Sequence, residues 1–344
     1  MGRARVVLWA LALACAACQA ARAADKVRIG NLNTIGDITV FIADAKGYFA
    51  KENIEPEVTL FDASAKMIAP LGTGELDVGG GATAVSLFNA IDRGIGVRIV
   101  ADKGRTEAGY VYQSLVIRKD LIDSGKFKGF ADLKGLKIAV GAPGVGPLSA
   151  LNELAKAGGV KYADIDKVFL AFPQQVAALR SGAIDGAVMN EPFKTLLRQQ
   201  GLAVEFAPTQ DVYPDYEVSL ALFGEKFRRE RPDVARRYLR AVLQAARDYN
   251  DAIANGRWKT DGAADEAISI FSKRTGQPLD LIRAITPPAI DPNGEIRMDS
   301  LRKDLAFFQT QGDVTNMALT ADQCVDMTMT RDVARELGPY KPRN

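Results

Sequence analysis

Among the 344 residues there is no histidine. That absence removes the commonest general base and the commonest metal ligand. Ser-His-Asp and Cys-His catalysis are excluded, and zinc chemistry loses its main donor. Carboxylate or lysine catalysis stays open; no metal and no cofactor is expected. Cysteine is scarce too, with three in the chain. Cys15 and Cys18 stand near the start, which leaves Cys324 without an internal disulfide partner once that start is removed. Net charge is also lacking: 44 Lys plus Arg stand against 42 Asp plus Glu. Without the Arg3, Arg5 and Arg22 of the N-terminal stretch, the balance is 41 against 42. No basic footprint for nucleic acid is present.

What is present is a globular composition, 47% hydrophobic and 25% charged, on a chain long enough for two domains. Arg3 and Arg5 precede an apolar run from Val6 to Ala17, and small residues follow to Ala21-Arg22-Ala23. This is the layout of a secretory signal over residues 1–23, with an apolar run too short to span a bilayer. A lipid anchor would use Cys18, but Cys15 stands where a lipobox usually has leucine.

From Val27-Arg28-Ile29-Gly30 onward, short apolar strands alternate with helical patterns. Strands are predicted at Val58–Phe61, Asp77-Val78 and Val97–Ala101, with helices near Val40–Phe49, Ser64–Leu71 and from Thr83. The alternation restarts with strands at Lys137–Val140, Lys167–Leu170, Ile184–Met189 and Val204–Ala207, and helices at Pro147–Ala157, Pro173–Arg180 and Pro192–Gln200. Two β-rich runs interrupt it, YVYQSLVIR (110–118) and YEVSLALF (216–223). From Glu225 the chain reads as helical. Such alternation implies α/β layers around mostly parallel sheets.

An internal echo relates the halves. LGTGELDVG (71–79) and LRSGAIDGA (179–187) share Leu-x-x-Gly-x-x-Asp, 108 residues apart. The leucine packs the last helical turn, the glycine ends it in a left-handed conformation, and the aspartate starts the return to a strand. GGGAT (79–83) follows the first copy and MNEP (189–192) the second, and both open into helices. Ligands of open α/β sheets bind beyond such strand ends.

The loop GAPGVG (141–146) joins a predicted strand to a helix. It is neither G-x-G-x-x-G nor a Walker loop, since Pro147-Leu148 follow Gly146, and Pro143 has no N–H for a phosphate. Nucleotide binding is disfavoured. Two readings remain: a tight strand–helix turn, or backbone N–H groups of Gly144, Val145 and Gly146 at a helix N-terminus with Pro147 at its first position, half of a small-ligand site.

The stretches GYFAKENIEPEVTLFDASAKMIAPLGTGELDVGGGATAVSLFNAIDRGIGVRIVA and FADLKGLKIAVGAPGVGPLSALNELAKAGGVKYADIDKVFLAFPQQVAALRSGAIDGAVMNEPF resemble the two lobes of periplasmic substrate-binding proteins of the nitrate/sulfonate/taurine group of ABC importers. The likeness covers about residues 26 to 225. It implies a two-lobed type II periplasmic-binding fold with two crossing strands as hinge. Lobe 1 would take residues 24–112 and 219–344, including C-terminal helices packed back on it, and lobe 2 residues 113–218. It also implies a periplasmic monomer that closes on a small organic ligand, anionic or aromatic, and delivers it to a membrane permease.

By position, the resemblance puts ligand contacts at Asn33, Thr34, Asp62, Ser64, Gly81, Ala82 and Thr83 in lobe 1, and at Gly144, Val145, Gly146, Asn190 and Glu191 in lobe 2. Lys103 and Arg105 would hold a carboxylate or sulfonate, or be solvated surface charge. Tyr110, Tyr112 and Tyr216 would stack on an aromatic ligand, or pack the hinge. Glu191 would accept from a ligand N–H, or cap the helix beginning at Pro192. The rival readings are a solute-sensing partner of a receptor and a catalytic relative of the same fold. The thiamin-pyrimidine synthase relatives consume a histidine that this chain lacks, and the menaquinone-pathway relatives are cytoplasmic.

Overall fold

A computed structural model of the chain describes residues 23–343; the expected signal segment falls outside them, apart from Ala23. The first half starts with β1 (Asp25–Asn31), α1 (Ile38–Ala45), β2 (Ile54–Leu60), β3 (Val78–Gly81), α2 (Val85–Asp92) and β4 (Arg98–Arg105). The second holds β5 (Gln113–Arg118), β6 (Lys137–Val140), α3 (Pro147–Ala157), β7 (Asp166–Phe169), α4 (Phe172–Ser181), β8 (Gly186–Asn190), α5 (Phe193–Gln199) and β9 (Ala203–Pro208). The chain then returns through β10 (Glu217–Phe223) to α6 (Pro232–Asp251), α7 (Gly262–Thr275), α8 (Met298–Gln311) and α9 (Thr328–Leu337), with further short helices and a small hairpin between.

Two five-stranded sheets result, ordered β2-β1-β3-β10-β4 and β7-β6-β8-β5-β9. Each has a parallel triplet, then one antiparallel strand (β10 or β5), then a last strand (β4 or β9) that runs with the triplet again. The two β-rich runs of the sequence become β5, which opens the second half and pairs with β8 and β9, and β10, which returns to the first sheet between β3 and β4. The crossings themselves are the segments between β4 and β5 and between β9 and β10, tied together by the Thr106 N–H donating to the Tyr216 carbonyl (3.0 Å).

The internal echo has a structural cause. Leu71 and Leu179 are buried. Gly74 and Gly182 take left-handed φ values of 82° and 75°, where a side chain would be strained. The aspartates do more than begin a strand. Asp77 accepts the Arg28 N–H of β1 (2.9 Å), and Asp185 accepts the Lys137 N–H of β6 (3.0 Å). In each sheet the carboxylate satisfies an amide of the middle strand of the parallel triplet.

Two of the long C-terminal helices lie against the first half, α6 through Tyr238 on Phe49 (5.5 Å between centroids) and α7 through Phe271 on Phe41 (5.9 Å), whereas α8 touches both halves. On α8, Leu301, Leu305 and Phe308 are buried. Phe308 lies against Phe88 of α2 (6.1 Å between centroids), while Phe307 meets Tyr162 of the second half edge-on (5.2 Å). Lys303 pairs with Glu153 of α3 at 2.8 Å. The helix carries apolar side chains on more than one face, so it is wedged between the halves and its burial includes both. No helix of the described residues is long and apolar enough to cross a membrane.

Candidate functional site

The cleft lies where strand ends of both sheets meet. The first half contributes Leu32 and Thr34 after β1, Asp62, Ala63 and Ser64 after β2, and Gly81 and Ala82 at the end of β3. The second contributes Gly141, Ala142, Val145 and Pro147 around the glycine loop, Phe172 after β7, and Val188 and Asn190 on β8. Tyr112 at one crossing, and Val218 and Ser219 on β10, complete the lining. The three strands of each parallel triplet therefore point at one place, as open α/β sheets arrange their sites.

Glycines let the wall of the first half form. A Cβ on Gly80 would lie 2.7 Å from Lys103 Nζ, and one on Gly81, where φ is +142°, 2.8 Å from Ser64 Cβ. The loop after β1 is organised by Asp37. Its carboxylate accepts the Leu32 and Thr34 N–H groups (3.0 and 3.2 Å) and is ion-paired with Lys103. Tyr112, 1% exposed, places its hydroxyl 3.2 Å from Thr34 Oγ1 and accepts the Gly36 N–H at 3.2 Å. Burial foremost raises its phenol well above the usual tyrosine value. Asn190 accepts from Gln113 Nε2 at 2.8 Å. Ser64 and Ser219 are 3% and 4% exposed, and their hydroxyls make no hydrogen bond with another described side chain.

Of the residues singled out in the sequence, eight meet at the cleft: Thr34, Asp62, Ser64, Gly81, Ala82, Tyr112, Val145 and Asn190. The others lie elsewhere. Lys103 and Arg105 are not surface charges and do not face the cleft. Lys103 is spent on Asp37, and Arg105 on Asp102 (3.1 Å) and Glu107 (2.9 Å); a buried cation needs such a partner. Tyr216 is fully buried against Tyr213, with centroids 4.6 Å apart, and Tyr110 is half-buried against the first half's core. Both tyrosines therefore pack the crossings. Glu191 is buried and serves the helix. Its carboxylate accepts the Thr195 N–H and hydroxyl (3.2 and 2.8 Å) and the Thr286 N–H (3.1 Å), with Lys194 at 3.3 Å. Burial, the largest influence, raises its carboxyl above the usual range. Asn33 takes a left-handed φ of 59° in the loop between two lining residues without lining the cleft itself.

The glycine loop is used differently from either sequence reading. Ala84 of the first half and Val145 form an antiparallel bridge. The Val85 N–H donates to the Gly144 carbonyl (2.8 Å), and the Gly146 N–H donates to the Thr83 carbonyl (2.9 Å). Helix starts α2 and α3 thus hold each other. Thr83, off the cleft lining, donates its hydroxyl to Asp304 of α8 at 2.5 Å, and Tyr213 donates to the same carboxylate at 3.0 Å. Burial raises the Asp304 carboxyl to about 7.

Sequence reasoning missed Leu32, Phe172, Val188, Val218 and Ser219. Phe172 follows β7, the one strand end of the two parallel triplets not considered. Ser219 is the single small hydroxyl residue inside YEVSLALF, an interruption that marks an inward face.

The profile of the NMT1-like family matches residues 20–258. A Brachyspira hyodysenteriae protein with the provisional name ABC transporter periplasmic binding protein is 28% identical over 296 residues, covering 80% of each chain. The alkanesulfonate-binding protein SsuA from Xanthomonas axonopodis pv. citri, solved bound to MOPS, matches 88% of this chain and 99% of its own, at a TM-score of 0.68 and 16% identity. The desulfurization enzyme DSZB matches 91% and 99%, at a TM-score of 0.59 and 17% identity. These structural likenesses concern the fold.

Proposed function

The chain belongs to the NMT1-like family, and from that premise we propose that it is a periplasmic substrate-binding protein of an ABC importer. It captures a small organic ligand between its two lobes, works as a monomer, and delivers the ligand to a membrane permease. The observation that carries this reading is the cleft itself. Both sheets turn the ends of their parallel triplets toward it, and helix starts from opposite halves join beside it through Ala84 and Val145. A ligand touching both walls stabilises the joined arrangement over a parted one, and the joined arrangement is what a permease would recognise.

The DSZB likeness makes a catalytic relative the second reading. The cleft lining holds neither histidine nor cysteine, which favours binding over covalent chemistry. Thermal unfolding of the chain from Ala24 onward against a panel of small solutes tests the choice. A bound solute at about 100 times its dissociation constant adds roughly 2.7 kcal/mol of stability. A binding protein shows that shift and releases the solute unchanged. Turnover of the solute, detected by mass spectrometry, would reverse the assignment.

A further inference from the structure

We propose that the cleft takes an uncharged organic molecule and discriminates against anions; this rests on the binding-protein reading above. Three observations converge. First, no lysine or arginine lines the cleft. The buried cations of the two halves named above are committed: Lys103 to Asp37, Arg105 to Asp102 and Glu107, and Lys194 to Glu205 at 2.9 Å. The one charged lining residue is Asp62, itself an acid, which pairs with Lys66 at 2.6 Å.

Second, amides at two of the helix starts beside the cleft are already taken. Helix N-termini attract anions through free N–H groups. At α2 the Val85 N–H is taken by Gly144. At α3 the Gly146 N–H is taken by Thr83, Pro147 has none, and the Leu148 N–H donates to the Val145 carbonyl at 2.9 Å. The Val85 and Gly146 amides, consumed in joining the halves, are not offered to a sulfonate.

Third, what remains suits a neutral polar group on an apolar body. The Ser64 and Ser219 hydroxyls are buried and without a described side-chain partner, and a hydroxyl donates or accepts as the ligand requires. Leu32, Val145, Phe172 and Val218 supply apolar wall. Burying an anion there without a counter-charge is far costlier than burying an amide that hydrogen-bonds to the serines.

The test uses matched pairs differing in charge: nicotinamide with nicotinate, benzamide with benzoate, and propanesulfonamide with 1-propanesulfonate. Dissociation constants are measured by calorimetry near neutral pH on the chain from Ala24. The expected result is binding of at least one neutral member, about tenfold or more tighter than its anion, and weakened about tenfold by Ser64→Ala/Ser219→Ala. An anion binding more tightly than its neutral partner overturns the charge assignment while leaving the binding reading intact. Silence of all six probes, with no small molecule released when the isolated protein is denatured, counts against the binding reading itself and this inference with it.

Discussion

The loops after β1 and after β6 occupy equivalent places, each following the central strand of its parallel triplet, yet they are held in opposite ways. The loop after β1 is held from within its own half, by the Asp37 carboxylate and the Lys103 ion pair behind it. The loop after β6 is held by the opposite half, through Thr83, Ala84 and Val85. One wall of the cleft is therefore preformed. The other gains its contacts when the halves meet. A binding site that opens and closes needs both, one surface to receive the ligand and one whose bonds depend on closure.

The largest effect should come from breaking the preformed wall. Lys103→Met leaves the Asp37 carboxylate buried without its counter-ion and should cost about 3–5 kcal/mol in denaturant unfolding. Adding Asp37→Asn should restore part of that loss; no restoration would mean the pair is not coupled.

Next comes the carboxylate that braces the junction. Asp304 has its folded value raised by burial to about 7, above the ordinary value of about 4. Its contribution to stability is therefore full below about pH 4 and is lost as pH rises toward 7. Asp304→Asn should flatten the fall in melting temperature across that window. Burial also raises the carboxyls of Glu191 and Glu217, so a residual slope is expected.

The joining loop should respond to Gly146→Ala. Gly146 has φ −47°, which alanine adopts freely, but the new Cβ would lie 2.6 Å from Thr83 Oγ1 and 2.8 Å from the Tyr216 hydroxyl. Overpacking of this kind costs about 1–3 kcal/mol. The cost should fall on ligand affinity, with small-angle scattering reporting a larger radius of gyration. The smallest effect separates the two echo aspartates. Asp77 also binds the Arg28 guanidinium (2.7 Å), whereas the nearest cation to Asp185 is Arg118 at 3.9 Å. Asp77→Ala should cost about 1 kcal/mol more than Asp185→Ala.

Much of this arrangement was legible in the sequence because it is local. The strand–helix alternation, the Leu-x-x-Gly-x-x-Asp echo and the placement of cleft residues at strand ends all follow from neighbours in the chain. Lys137–Val140 and Pro147–Ala157 form with the expected bounds. What was not legible depends on distant partners. Nothing near Lys103 announces that Asp37, 66 residues earlier, will neutralise it. The free amides expected at Gly146 are taken by Thr83, on the other half. The position of α8 between the halves depends on Phe88, Tyr162 and Glu153, all far away in sequence.

Amide hydrogen exchange at the two loops, with and without the best-binding neutral probe, tests the central claim most directly. The account predicts that the Leu32 and Thr34 amides, held by Asp37, exchange slowly in both samples, while the Val85 and Gly146 amides become slow only when the probe is bound. Equal protection of both loops without any probe would contradict it, because closure would then not depend on a ligand.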